Sequence, residues 1–160
     1  MITPIQQVLK VFSDRVSVYT DLNWSIAGST ASLIQGCNNI GPNDIDILVK
    51  QNGDVDKIVN LWAFARLNIH GIIIEMANTV SDEYLELSPV VWELKRYEEL
   101  FGMLIPVVPL GLQLYSSYEQ QKPDRDKAIC EVIKLKNLDL QFMENYLSSS
   151  SYRQLIEQFR

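Results

Sequence analysis

A chain of 160 residues, 47% apolar and 21% charged, is long enough to bury a core as one domain and too apolar to stay disordered. Its net charge of -6 offers no general attraction to a phosphate backbone, so nucleic acid is not an expected partner. Cys37 and Cys130 lie far apart with no CxxC or Cys/His cluster, which favours two reduced thiols over zinc. No signal-peptide pattern opens the chain and no apolar run approaches a membrane span, so the expected location is cytoplasmic, away from any membrane.

Ile5, Val8, Leu9, Phe12 and Val16 recur at helical spacing behind Thr3-Pro4, an N-cap followed by a first-turn proline, so a helix over 4–16 is expected to lie against a sheet. A strand at 24–27 runs into Gly28-Ser29, and a short helix over 30–35 is stopped by the Gly, Pro and Asn residues of 36–43. A strand at 44–49 ends in the polar turn 50–53, and a helix from about Asp54 carries Val55, Ile58, Val59, Leu61 and Trp62. Segments 64–67 and 72–76 read as antiparallel strands joined through Asn68-Ile69-His70-Gly71, where His70, the only histidine, reads as a turn residue. Further on, 90–94 reads as a strand, 95–99 as a polar turn and 103–107 as a strand. Helices are expected over 110–118, 124–135, 138–147 and 152–159. The fold class is therefore α+β, a mixed sheet packed by helices, in one domain over 1–160 with a core at about 22–130 and a helical C-terminal tail at about 131–160.

Side chains two apart in a strand point the same way, so Asp44 and Asp46 share one face while Ile45, Ile47 and Val49 turn to a core. Aspartate is depleted in strands, and two on one apolar strand call for a reason; a solvated edge is the plain alternative. At Gly28-Ser29 a glycine lets a phosphate approach the backbone, and the serine hydroxyl with neighbouring amides can bind its oxygens, although such pairs also make ordinary strand-to-helix turns. Glu75 is the one charged residue in its apolar run and can pair beside the aspartates; Glu86 is the alternative third carboxylate. Three converging carboxylates repel one another unless a cation occupies the gap, and Mg2+ or Mn2+ suits such hard oxygen ligands. The product is an expected metal-nucleotide site in which one metal bridges nucleotide phosphates and a second lowers the pKa of an acceptor hydroxyl. Glu75, or Asp46 beside it, is the expected general base, and attack on the α-phosphate releases pyrophosphate.

These residues, Gly28-Ser29, Asp44-Ile45-Asp46 and Glu75, resemble the signature of the DNA polymerase beta-like nucleotidyltransferase superfamily: a glycine-serine pair, an Asp-x-Asp strand and a third acidic residue on a separate strand. The run 68–76 is similar to small prokaryotic, minimal members that place a strand-borne glutamate there. The resemblance, which spans about 22–130, implies a nucleotidyltransferase-like fold, with Glu75 as the last metal ligand and base. It also implies that the segment Lys122-Pro123-Asp124-Arg125-Asp126-Lys127, similar to the charged start of the helix after the family core, brings Lys122, Arg125 and Lys127 toward a triphosphate. The other reading of those residues is an exposed helix start balanced by its own aspartates. The crowded loop 36–43 departs from the pattern, as does the lack of an acceptor domain like that of larger antibiotic-modifying relatives.

The expected function is metal-dependent transfer of a nucleoside monophosphate, AMP from ATP, to a hydroxyl of a small molecule or protein. The alternative is a catalytically silent nucleotide- or partner-binding protein of the same fold, for instance an antitoxin-like half of a two-protein module. Expected partners are a nucleotide, a small-molecule or protein acceptor, and a second copy or a partner protein, since the terminal helices carry apolar surfaces.

Overall fold

The computed structural model describes residues 3–38, 40–62, 67–69, 71–78, 89–136 and 157. In order these form α1 (Pro4–Val16), β1 (Trp24–Ala27), α2 (Gly28–Ile34), β2 (Asp44–Val49), α3 (Asn52–Trp62), β3 (Leu67–Ile69), β4 (Ile72–Asn78), α4 (Val91–Leu94), β5 (Arg96–Leu100), β6 (Met103–Val107), α5 (Leu110–Glu119) and α6 (Pro123–Lys136). The strands make one mixed sheet in the order β3-β4-β2-β1-β6-β5. β1 runs antiparallel to β2 and parallel to β6, β2 runs parallel to β4, and each edge strand pairs antiparallel with its neighbour.

The first helix forms where its sequence predicts it. Thr3 Oγ1 accepts from the Gln6 amide at 3.2 Å and the Thr3 amide donates to Gln6 Oε1 at 2.9 Å, a reciprocal capping box that occupies two groups the helix start leaves open. All five apolar residues of its stripe are buried. They pack with Ile26, Ile45, Ile47, Val49, Ile74 and Val107 in the main core, so α1 and α3 cover one face of the sheet. Phe12 meets Trp24 edge-on, ring centroids 5.1 Å apart, locking the helix to the start of β1.

The opposite face is divided. Leu48, on the same side of β2 as Asp44 and Asp46, is buried with Ala27, Val91, Val108 and Leu112 beneath α4 and α5. A third apolar cluster joins α5 to α6 through Leu110, Leu114, Ile129 and Ile133 and encloses Cys37 and Cys130, both free thiols. Among the described residues, no apolar cluster covers this face at the N-terminal half of β2, and there Asp44 and Asp46 stand.

Several elements depart from the sequence expectations. Segment 90–94 contributes the helical turn α4 in place of a strand, and the expected polar turn 95–99 is, from Arg96 on, part of β5. β5 is an edge strand, and its charged Arg96, Glu98 and Glu99 disguise it as a turn while keeping the edge unattractive for further pairing. Of the strand expected at 64–67 only Leu67 is described; it opens β3 (Leu67–Ile69), and Asn68 and Ile69, expected in the connection, pair with Ile73 and Ile72 of β4. α2 starts at Gly28, directly at the strand end, and α3 at Asn52, ahead of the residues expected to open each. The readings for Phe64, His70, Glu86 and the two tail helices lie outside the described residues. Among the described residues no helix is long and apolar enough to cross a membrane.

Candidate metal and nucleotide site

Parallel pairing of β2 with β4 sets Asp44 beside Ile73 and Asp46 beside Glu75, while antiparallel pairing with β1 sets Ala27 opposite Asp46. The pleat then carries Asp44, Asp46 and Glu75 to a common side, where one oxygen from each lies within 4.8 Å of the others. Asp44 and Asp46 are half-buried and Glu75 is exposed. Among the described residues, the third carboxylate beside the aspartates is Glu75; Glu86 lies outside them.

Gly28 follows Ala27 directly and turns the chain with φ at +62°, a conformation that favours glycine. A Cβ built at that position would collide with Asp46 Oδ2 and lie 3.3 Å from its Cγ, so the missing side chain is the space the carboxylate occupies. From the same short helix, Thr30 Oγ1 donates to the Asp44 carbonyl at 2.8 Å and ties α2 to the strand bearing the acids.

A cleft of about 280 Å³ opens at this point, lined by Gly28, Asp46, Glu75, Gln120, Lys122 and Arg125. A second, of about 430 Å³, adjoins it and is lined by Ser29, Ile40, Lys122, Pro123, Asp124 and Arg125. Lys122 and Arg125 border both, so cations stand between the carboxylates and the serine. Lys127 is exposed and lines neither; two residues along a helix is about 200° of rotation, which puts it on the far side of α6 from Arg125.

Lys122 is held by the joint between α5 and α6. Its amide donates to the Ser117 carbonyl at 3.1 Å, and its own carbonyl accepts from the Asp126 amide at 3.0 Å. Asp126 is buried, and burial raises its carboxyl above the ordinary 3.8, opposed by a hydrogen bond from Ser117 and the charge of Arg125. Burial also pushes the Cys130 thiol up to about 12, with Asp126 and Cys37 adding to it, so this sulfur stays protonated.

Two buried glutamines, absent from the sequence reading of the site, knit its supports together. Gln35 Nε2 donates to the carbonyls of Ala31 (3.1 Å) and Val108 (2.8 Å), and its Oε1 accepts from the Leu110 amide (3.2 Å), capping α5 from across the fold. Gln113 Nε2 donates to the same Val108 carbonyl (2.7 Å), while its Oε1 accepts from Arg125 Nη2 (2.9 Å) and from the Ser32 hydroxyl. The signal in the sequence was an amide within the apolar run Leu110-Gly111-Leu112-Gln113-Leu114, since a buried polar group must find partners.

The architecture is a nucleotidyltransferase-like fold. A proposed nucleotidyltransferase from Thermotoga maritima matches with a TM-score of 0.62 at 23% identity, covering 85% of this chain and 97% of that one. An antigenic nucleotidyltransferase-like protein from Paracoccidioides brasiliensis matches with a TM-score of 0.60 at 13% identity, covering 96% and 92%. The antibiotic-resistance factor ANT(2'')-Ia, in its solution structure, matches with a TM-score of 0.59 at 14% identity over 96% of this chain and 99% of its own. At these identities the shared property is the fold. No protein-family model and no curated protein matches the chain.

Proposed function

We propose that the protein is a metal-dependent nucleotidyltransferase that moves a nucleoside monophosphate, AMP from ATP, to a hydroxyl of a small molecule or protein. The observation that carries this reading is the convergence of Asp44, Asp46 and Glu75 on one face, within 4.8 Å, beside a cleft bordered by two cations. Three carboxylates whose oxygens lie this close fit a hard divalent cation such as Mg2+ or Mn2+, which takes several oxygen ligands at once. Bound there, the metal supplies charge for the triphosphate and acidity for the acceptor hydroxyl.

The chain's own groups divide the remaining work. Asp44 and Asp46 hold the metal from adjacent same-face positions of β2, and Glu75 holds it from β4 and takes the acceptor proton. Gly28 leaves the space into which Asp46 reaches, and Ser29, Lys122 and Arg125 offer donors to phosphate oxygens across the adjoining cleft. The acceptor oxygen bonds to the α-phosphorus as the bond to the bridging oxygen breaks, pyrophosphate carries away the charge, and the proton passes to Glu75. Support for a small-molecule acceptor comes from the ANT(2'')-Ia crystal structure with adenylyl-2''-tobramycin, which matches over 99% of this chain with a TM-score of 0.56.

Calorimetric titration with ATP, with and without Mg2+, tests the reading on the wild type and on Asp44→Asn/Asp46→Asn. Metal-dependent binding by the wild type alone supports it; equal, metal-independent binding by both proteins sinks it. Incubation of the binding-competent protein with ATP, Mg2+ and a panel of aminoglycosides, other hydroxyl compounds and candidate proteins then reads pyrophosphate release. Metal-dependent binding with no release across the panel favours the silent, partner-binding alternative.

A further inference from the structure

Gln113 is 0% exposed, set in α5 between Leu112 and Leu114, which are also fully buried. An amide in such surroundings is costly unless its groups are paired, and those of Gln113 reach toward the site: Nε2 to the Val108 carbonyl, Oε1 to Arg125 Nη2 and to the Ser32 hydroxyl. A carbonyl only accepts and a guanidinium only donates, so the amide has one orientation, oxygen toward Arg125. Arg125 is the residue of α6 that borders both clefts. Ser32 belongs to α2, the helix that begins at Gly28, so the Gln113 oxygen gathers α2, α5 and α6 at one atom.

We propose that Gln113 is a positioning residue that holds the Arg125 guanidinium at the boundary of the two clefts, presented to the phosphate oxygens of the nucleotide. For its ligand the proposal rests on the nucleotide reading above; the orientation of Arg125 does not depend on it. A flexible arginine must be ordered each time it binds an anion, at a cost in side-chain entropy, and a partner already bonded to Nη2 removes part of that cost. A residue that only filled space would behave differently, since an apolar isostere would then serve as well as the amide.

Gln113→Met and Gln113→Glu separate the two roles. Methionine keeps the volume and loses the acceptor. Glutamate keeps an acceptor toward Arg125 and loses the donor to Val108, whose carbonyl retains Gln35 Nε2. With ATP and Mg2+, Gln113→Met is expected to weaken binding roughly 10-fold, Arg125→Met by a similar or larger factor, and the double variant no further than Arg125→Met. Gln113→Glu is expected to bind within about threefold of wild type. Wild-type affinity in Gln113→Met, additive effects in the double variant, or a folded Gln113→Glu as weak as Gln113→Met each overturns the proposal.

A second measurement needs no nucleotide. Exchange of the Arg125 guanidinium protons, followed by 15N NMR with Arg125→Met identifying the signal, is expected to speed up about 10-fold in Gln113→Met. Unchanged exchange overturns the positioning role. Accelerated exchange together with a wild type that binds no ATP retains the positioning role and sinks the nucleotide reading.

Discussion

The carboxylate of Asp46 occupies the space that a side chain on residue 28 would need: a Cβ at Gly28 would overlap Oδ2, and the backbone there is left-handed at φ +62°. Conformation and contact therefore select glycine independently, and the contact ties the turn to the acid at the centre of the cluster.

Gly28→Ala is accordingly expected to cost about 1 to 3 kcal/mol of stability and to push Asp46 away from its neighbours. Urea unfolding measures the first effect and Mg2+-dependent ATP binding the second. A variant with wild-type binding would show that Asp46 does not need its present position.

Glu75→Gln removes one charge from a strand whose backbone register is unaffected. The fold should persist, the Mg2+ concentration needed for ATP binding should rise at least about 10-fold, and any transfer should slow by roughly 10² to 10⁴. Circular dichroism, titration and pyrophosphate release read the three effects. Undiminished transfer would remove Glu75 from the chemistry.

The raised carboxyl of Asp126 makes stability depend on pH with a definite sign. Burial, the largest cause, makes the folded chain hold this proton more tightly than the unfolded chain, whose group titrates near 3.8. Between 3.8 and the raised folded value the folded state binds more protons, so stability falls as pH rises through that window and stays lower above it. Asp126→Asn should therefore be more stable than wild type at neutral pH, with the gain vanishing as pH drops below the window. Urea midpoints across the acid range check this, and an unchanged gain at all pH values would assign the effect to something other than ionisation.

Thr3→Ala breaks the capping box of α1 and should cost about 1 kcal/mol in urea unfolding while leaving ATP titration unchanged. A loss of binding in this variant would mean that α1 communicates with the clefts on the other face of the sheet.

Legibility from the sequence followed the strength of the periodic signal. α1, β1, β2 and β6 were readable to their end residues because buried stripes, a cap and alternating faces agree with one another. Segment 90–94 was not, since a short apolar run suits a buried helical turn and a strand equally, and the charges of β5 imitate a loop. For the acidic cluster, residue type and spacing put Asp44 and Asp46 on one face and leave Glu75 and Glu86 as candidates for a third carboxylate, while the parallel register sets Glu75 beside Asp46, a neighbourhood that spacing cannot supply. The glycine of Gly28-Ser29 suggests an opening for phosphate, whereas in the fold it is Asp46 that fills the space of the missing side chain. Gln35 and Gln113 escaped notice because their partners come from distant stretches of chain.

The parallel pairing that sets Asp46 beside Glu75 also has a kinetic consequence. Parallel neighbours cannot be closed by a tight turn, and here the chain must pass through α3 and β3 before β4 can dock on β2. Such long-range closure pays its loop entropy before its contacts form, so hairpins such as β3-β4 and β5-β6 are expected to assemble ahead of the central pair. The acidic cluster would then be absent from early compact states, and metal-dependent nucleotide binding during refolding would report completion of the sheet.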